Sequence, residues 1–384
     1  MALTPRPHGV RIVEAAAGVL TLTVAATSIW GVVIQSSDAK AATFPLNEPV
    51  LVSDLPAAID DAGVAGTGEI TLRAIADFGR SIGVVVRVGE GVGETAADKL
   101  ADRNAKVIAG LQQLQYAEQL LGVKPRIVAA PGLDTQAVAV ALGQTAVALN
   151  GFAYAASIGA TPAEIKTYRD GFGVRELMLI DRDWKALNGA GAEVISYAAG
   201  RAVGLRAWLD REVGYHKTIS NVAVPGVVGI DQPRAWDFQN AQTEMGLING
   251  ADVTGLIRRN GYRYWGNRTC ASDPRFAYES AVRTNQVLRD TIADGVFPYI
   301  DQPLTAQLAA DIIESINAMF RREKLAGRIV GAVAFLAPGN TADQLAAGKL
   351  KIGYRFTACA PLEDLEAASE ITDEFYADTF NLAA

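Results

Sequence analysis

Residues 15–35 read AAAGVLTLTVAATSIWGVVIQ, and whether this uncharged stretch is leader, helix or strand decides the fold of the chain. With Arg6 and Arg11 ahead of it and Ala39-Lys40-Ala41 behind, it has the outline of a secretory signal peptide and its cleavage site. It is also long enough to be weighed as a membrane-spanning helix. Glu14 at its start counts against both. The run is rich in threonine and valine, and Leu20-Thr21-Leu22-Thr23-Val24 alternates with a period of two. β-Branched side chains suit a pleated surface and alternation buries one face, so the stretch is read as strand.

Working outward, residues 82–181 alternate between β-rich apolar runs and helical patterns. Strands are expected at 82–88, 126–130, 152–156 and 176–180, with helices at 94–121, 135–149 and 162–170 between them. The last helix opens with Thr161 as N-cap, Pro162 at the first position and Glu164 as the capping-box acid. Alternation with short links implies an α/β unit whose mostly parallel sheet is covered by helices. A further helix is expected at 196–213, after the Gly/Ala-rich loop 188–192.

After Gly214 the pattern changes to an α+β one. Residues 221–229 read as extended chain. Asp273 offers an N-cap to a helix starting at Pro274 and running to about 293. A second amphipathic helix at 306–325 places Leu308, Ile312, Ile316 and Phe320 on one stripe. Residues 329–336 and 350–357 read as a strand pair. The ends differ in charge: the first thirteen residues carry Arg6 and Arg11 and no acid, whereas no basic residue follows Arg355. That last segment holds Glu363, Asp364, Glu366, Glu370, Asp373, Glu374 and Asp378, together with Ile371, Phe375, Tyr376 and Phe380, too apolar for a plain solvating tail.

The 384 residues suffice for two or three domains, and 35 basic against 42 acidic side chains argue against a general nucleic-acid binder. Two histidines, His8 and His216, have no metal-ligand spacing to a second donor. Cys270 and Cys359 read as packed thiols of a reducing compartment. Gly89-Glu90-Gly91-Val92-Gly93 follows a strand, but a dinucleotide fingerprint needs a glycine where Glu94 stands, and two carboxylates would repel a pyrophosphate. It is read as a strand-to-helix turn, and Asp181 and Asp183 as a surface turn. No Walker lysine and no nucleophile elbow appear. The expectation is no catalytic, metal or cofactor site. Arg321, Arg322, Lys324 and Arg328 close the second amphipathic helix; they either answer its dipole or face an acidic partner.

One segment is specific. Residues 260–269 read NGYRYWGNRT, followed by Ser272-Asp273 and a helix containing Val282-Arg283-Thr284. This resembles the contractile tail sheath family of myophages and R-type pyocins. Residues 5–10 resemble the family's short N-terminal arm ending in His-Gly-Val, 128–132 a strand followed by a Pro-Gly turn, and 349–356 and 369–372 its last strands. The resemblance runs almost the whole length.

The resemblance implies a structural subunit with an N-terminal arm at 1–20 and an outer α/β domain at 21–214, the assignment of 21–80 being open. It further implies an inner, tube-facing α+β domain at 215–357 and a C-terminal arm at 358–384. Subunits would stack as six-fold rings in an open helical array around a tail tube protein, flanked by baseplate and tail-terminator proteins. No nucleic acid would be bound directly and no membrane entered. The place would be the virion tail or a tailocin particle, after assembly in the bacterial cytoplasm. Arg321, Arg322, Lys324 and Arg328 would touch the tube. Arg6, Arg11, Glu366, Glu370, Ile371, Asp373 and Phe375 would lie in arms reaching into neighbours and adding strands to their sheet. Gly261, Tyr262, Arg263, Trp265, Gly266, Asn267 and Arg268 would be structural. Contraction would be a rigid-body rearrangement driving the tube through a cell envelope, with no enzyme activity. The competing readings are a periplasmic small-molecule-binding protein with a cleaved signal peptide and, third, a nicotinamide-dependent oxidoreductase.

Overall fold

In the computed structural model, Trp30 opens the first strand with its indole lying flat over Gly83, where a Cβ would come within 2.0 Å of the ring. The structure describes residues 22–24, 26–373, 375 and 376. The first half alternates as expected: β1 (Trp30–Gln35), β2 (Pro49–Val52), α1 (Leu55–Asp61), α2 (Gly68–Ala76), β3 (Gly83–Val88), α3 (Ala96–Gln113), α4 (Ala117–Leu121), β4 (Ile127–Ala129), α5 (Gln136–Leu149), β5 (Phe152–Ala156), α6 (Pro162–Arg169) and β6 (Leu177–Ile180). Then come β7 (Trp184–Leu187), β8 (Glu193–Ser196), α7 (Ala198–Glu212), β9 (Val227–Ile230), α8 (Glu244–Gly250), β10 (Gly255–Arg258) and β11 (Tyr262–Trp265). The chain ends with α9 (Glu279–Val296), α10 (Ala306–Leu325), β12 (Ile329–Leu336), α11 (Ala342–Ala346) and β13 (Ile352–Ala358).

The main sheet has the order β2-β3-β1-β4-β5-β6, parallel throughout except for β2 at its edge. Alternation along β1 sends Trp30, Val32 and Ile34 into a core beneath α2 and α7, and Val33 into a second core beneath α3 and α5. Residues beyond 214 complete both: Ile219, Val224, Leu256, Tyr264 and Val282 join the first, and Ile248, Val253 and Cys270 the second. Packing is therefore continuous across the expected junction at 214–215. A third core lies between α10, the end of α9 and the β12–β13 pair, and contains Leu22, Leu288, Ile316, Met319, Phe320 and Ile329.

Two expectations are corrected. Among the described residues of the opening stretch, 30–35 form strand and Leu22, Thr23 and Val24 are irregular; 15–21 and 25 lie outside the described residues. Leu22 plugs the third core against Gly295 of α9, so this side chain makes a packing contact and does not stand on a sheet face. The helix expected from Pro274 splits into a short 3-10 turn capped by Asp273 and then α9. Thr269 donates its N–H to the Ala277 carbonyl (2.8 Å) and Arg268 bridges Tyr278, which closes the chain between them into a loop that contains the 3-10 turn.

Candidate assembly interface

Among the described residues no cluster of side chains could hold a metal ion, and no helix is long and apolar enough to cross a membrane. Asp181 and Asp183 are not a surface turn. Asp181 is 1% exposed and pairs with Arg234 at 3.0 Å, while Asp183 accepts the Ala198 N–H at the start of α7 (2.7 Å) and burial pushes its pKa up to about 7. Both serve the β6–β7 connection. The glycine turn after β3 is stiffened by Asp102, which accepts the Val92 N–H at 2.8 Å, and it presents Glu90 and Glu94 to solvent. Cys270 is buried, which pushes its thiol up to about 12, whereas Cys359 is only partly covered and reaches the Gly327 carbonyl. His216 is partly covered, and burial lowers its pKa, helped by Arg328.

The cations closing α10 do four different things. Arg321 is exposed and pairs with Glu314 (2.6 Å), and Lys324 is exposed. Arg322 reaches back to the Leu22 carbonyl, so it holds the chain where the N-terminal segment enters the third core. Arg328 pairs with buried Glu323 (3.1 Å), which also accepts the Tyr215 O–H at 2.8 Å and so ties α10 to the α/β body. Nothing local in the sequence marked Leu22 and Tyr215 as partners of this helix.

The NGYRYWGNRT motif forms the β10–β11 hairpin and its exit. Asn260 and Gly261 both take positive φ (49° and 96°), which makes the tight turn. Tyr264 is fully buried and donates to the Ala198 carbonyl (2.7 Å), Tyr262 donates to the Val228 carbonyl (2.6 Å), and the Asn267 carbonyl accepts the Glu279 N–H. Gly266 packs where a Cβ would approach Thr254 to 2.8 Å. Arg268 leaves this packing role: it grips Glu363 with two parallel bonds of 2.9 and 2.7 Å and lies 5.3 Å from the centre of the Tyr278 ring. Tyr278 adds its O–H to the same carboxylate, and Arg268 holds the Glu363 pKa below its usual range.

Around that grip the described C-terminal residues are largely exposed. Leu362 is 80% and Leu365 76% exposed, and Glu366, Glu370, Ile371, Asp373 and Phe375 are exposed as well. Arg6 and Arg11 lie outside the described residues. The β12–β13 sheet has two strands only, so each strand leaves one edge of main-chain groups unpaired within the described chain. Val330, Val333 and Leu336 of β12 are exposed. Beside this pair an apolar pocket of about 580 Å³ opens between α9, α10 and β13, lined by Ile292, Val296, Leu308, Leu350 and Tyr354.

Residues 106–270 match the family model described as the central domain of phage tail sheath proteins. The chain is 44% identical to the tail sheath protein of Escherichia phage P2, over 97% of each chain. It is 36% identical to the major tail sheath protein of Serratia phage KSP20, again over 97% of each. Among solved structures, the sheath complex of an extracellular contractile injection system in the contracted state superposes with a TM-score of 0.72 at 15% identity, over 97% of this chain and 99% of that one. The contracted helical sheath of the anti-feeding prophage gives 0.70 at 19% identity, over 97% and 100%.

Proposed function

The chain belongs to the phage tail sheath family and is a contractile-sheath subunit of a virion tail or tailocin, and from that premise we propose how its parts are used. The observation that carries the proposal is the pairing of an exposed, apolar-studded C-terminal segment, held at its root by Arg268, with a two-stranded sheet whose two edges are unpaired among the described residues. Arms of neighbouring copies add strands to the β12–β13 edges, where main-chain hydrogen bonds supply affinity and alternate side chains supply register. The acids of one arm and the N-terminal Arg6 and Arg11 of another bias that register.

The third core sets the inner layer. Its separate packing supports narrowing the tube-facing part to α10, β12, β13 and the end of α9, with the residues between 215 and 282 belonging to the outward body. Arg321 and Lys324 then face the tail tube protein. Repeated heterologous contacts build six-fold rings stacked into an open helix that starts at a baseplate and ends at a terminator. Contraction turns each subunit as a rigid body into larger interfaces while the arms stay joined, so the driving free energy is interfacial and a structural role suffices. The periplasmic binder and the oxidoreductase gain no support, since the similarity to tail sheath proteins spans 97% of the chain.

Negative-stain electron microscopy of the full chain and of a chain lacking residues 363–384 tests this. Hollow tubes or stacked rings are expected from the full chain, and folded monomers from the shortened one. Long tubes from the shortened chain would remove the role given to the arm.

A further inference from the structure

The β10–β11 tip reads Arg258-Arg259-Asn260-Gly261-Tyr262-Arg263, three arginines within six residues. Arg263 donates to the carbonyls of Arg259 (3.0 Å), Asn260 (3.2 Å) and Asn221 (2.7 Å), which stiffens the turn. Arg258 and Arg259 are exposed, the first 5.5 Å from the centre of the Tyr262 ring and the second 4.1 Å from that of Phe238. Phe238 is itself 60% exposed and meets Trp236 and Trp265 edge-on or tilted. None of the three arginines enters an ion pair among the described residues, whereas Arg201, Arg206, Arg234 and Arg283 each pair with a carboxylate. Arginines steadied on aromatic faces with their charge unanswered have the composition of an interface hot spot.

A complementary surface sits elsewhere on the same rim. Thr254 bridges Ile180 in parallel, so β10 carries the arginine tip past the carboxyl end of the edge strand β6. The turn at residues 89–94 leaves the carboxyl end of β3. It offers exposed Glu90 and Glu94, neither in an ion pair among the described residues, on either side of exposed Val92. Between β3 and β6 lie four strand spacings, roughly 20 Å at about 4.8 Å each, so the two surfaces are held apart within one chain.

The geometry points to a body-to-body contact between copies, in which the arginine–aromatic tip of one subunit docks on the Glu90-Val92-Glu94 turn of the next. The contact is head-to-tail and therefore repeats without closing on a two-fold axis. It rests on the sheath reading and adds to the arms a second, charge-selected interface.

The test measures polymer yield of the full chain by sedimentation and electron microscopy. Four proteins are compared: the unaltered chain, Arg258→Glu with Arg259→Glu, Glu90→Lys with Glu94→Lys, and all four changes together, each checked for an unchanged circular-dichroism spectrum and melt. Each pair alone is expected to lower the yield roughly tenfold or more, and the combination to restore it, because opposite charges again face each other. Unchanged yield from either pair, or no recovery in the combined protein, overturns the contact. If the arginine pair instead loses only co-assembly with tube, the tip's partner is the tube and the contact is likewise overturned. Absence of polymer from the unaltered chain would be a failure of the sheath reading itself, and would take this contact with it.

Discussion

Glu279 has no exposed surface and is surrounded by donors: Arg206 at 3.3 Å, the Thr218 hydroxyl at 3.0 Å, the Ile219 N–H at 3.1 Å and the Tyr154 hydroxyl. Arg206 and Arg283 both pair with Asp210, so α7 and α9 are joined by buried charge. Desolvation offsets most of the Coulomb gain in such a cluster, so its effect is to fix one register of α9 against the body more than to add stability. Asp134 is a different case, buried with no cation beside it among the described residues while accepting the Ala156 N–H. Burial raises its pKa from the ordinary 3.8 to about 6. Across that window the folded chain holds a proton that the unfolded chain has released, so this contribution is present below about pH 4 and lost as pH rises through about 6. Asp134→Asn should remove that loss. Denaturant melts across this range should show the variant gaining on the unaltered chain by up to about 3 kcal/mol. A constant difference between the two would refute the assignment.

α9 is the element that crosses from one core to another, with Val282 in the first and Leu288 in the third. A helix in this part of the chain was legible from the Asp273-Pro274 start signal. The start of α9 itself was not, because the chain before it is closed into a loop by the contacts of Arg268 with Tyr278 and of Thr269 with Ala277, partners that no helix-start signal reveals. The C-terminal arm depends on the same spot. The Arg268–Glu363 pair is more than a third exposed on both sides, so it contributes at most about 1 kcal/mol to folding. Arg268→Ala should leave the melt nearly unchanged yet expose residues 363–373 to faster cleavage in limited proteolysis. Unaltered cleavage would mean that the arm is positioned by something other than this grip.

Across the whole molecule, the layer built on the third core is bound to the body through Tyr215–Glu323–Arg328 and to the entering chain through Arg322 and Leu22. Two of the four cations expected at the tube therefore have internal duties, and Arg321 and Lys324 remain as the clean test. Reversing both to Glu should weaken co-sedimentation with tube roughly tenfold, each exposed contact being worth about 1 kcal/mol or less, while sheath self-assembly survives. Unchanged tube binding would remove the tube-contact assignment.

Patterns confined to a turn or a strand could be read from the residues alone. The capping box at Thr161–Glu164 and the stripe along α10 depend on neighbours three or four positions away, and they appear as expected. The absence of a Walker or nucleophile-elbow motif is equally a property of the residues themselves. Tertiary structure alone decided which distant groups meet: Arg268 with Glu363, Arg322 with Leu22, Asp181 with Arg234, and the arginine tip with Phe238. Local spacing carries propensity, whereas a long-range pair forms only when closing a long loop is offset by burial shared with many other residues. The charges of the sequence were therefore visible from the start, and their partners became visible only once three cores had placed them.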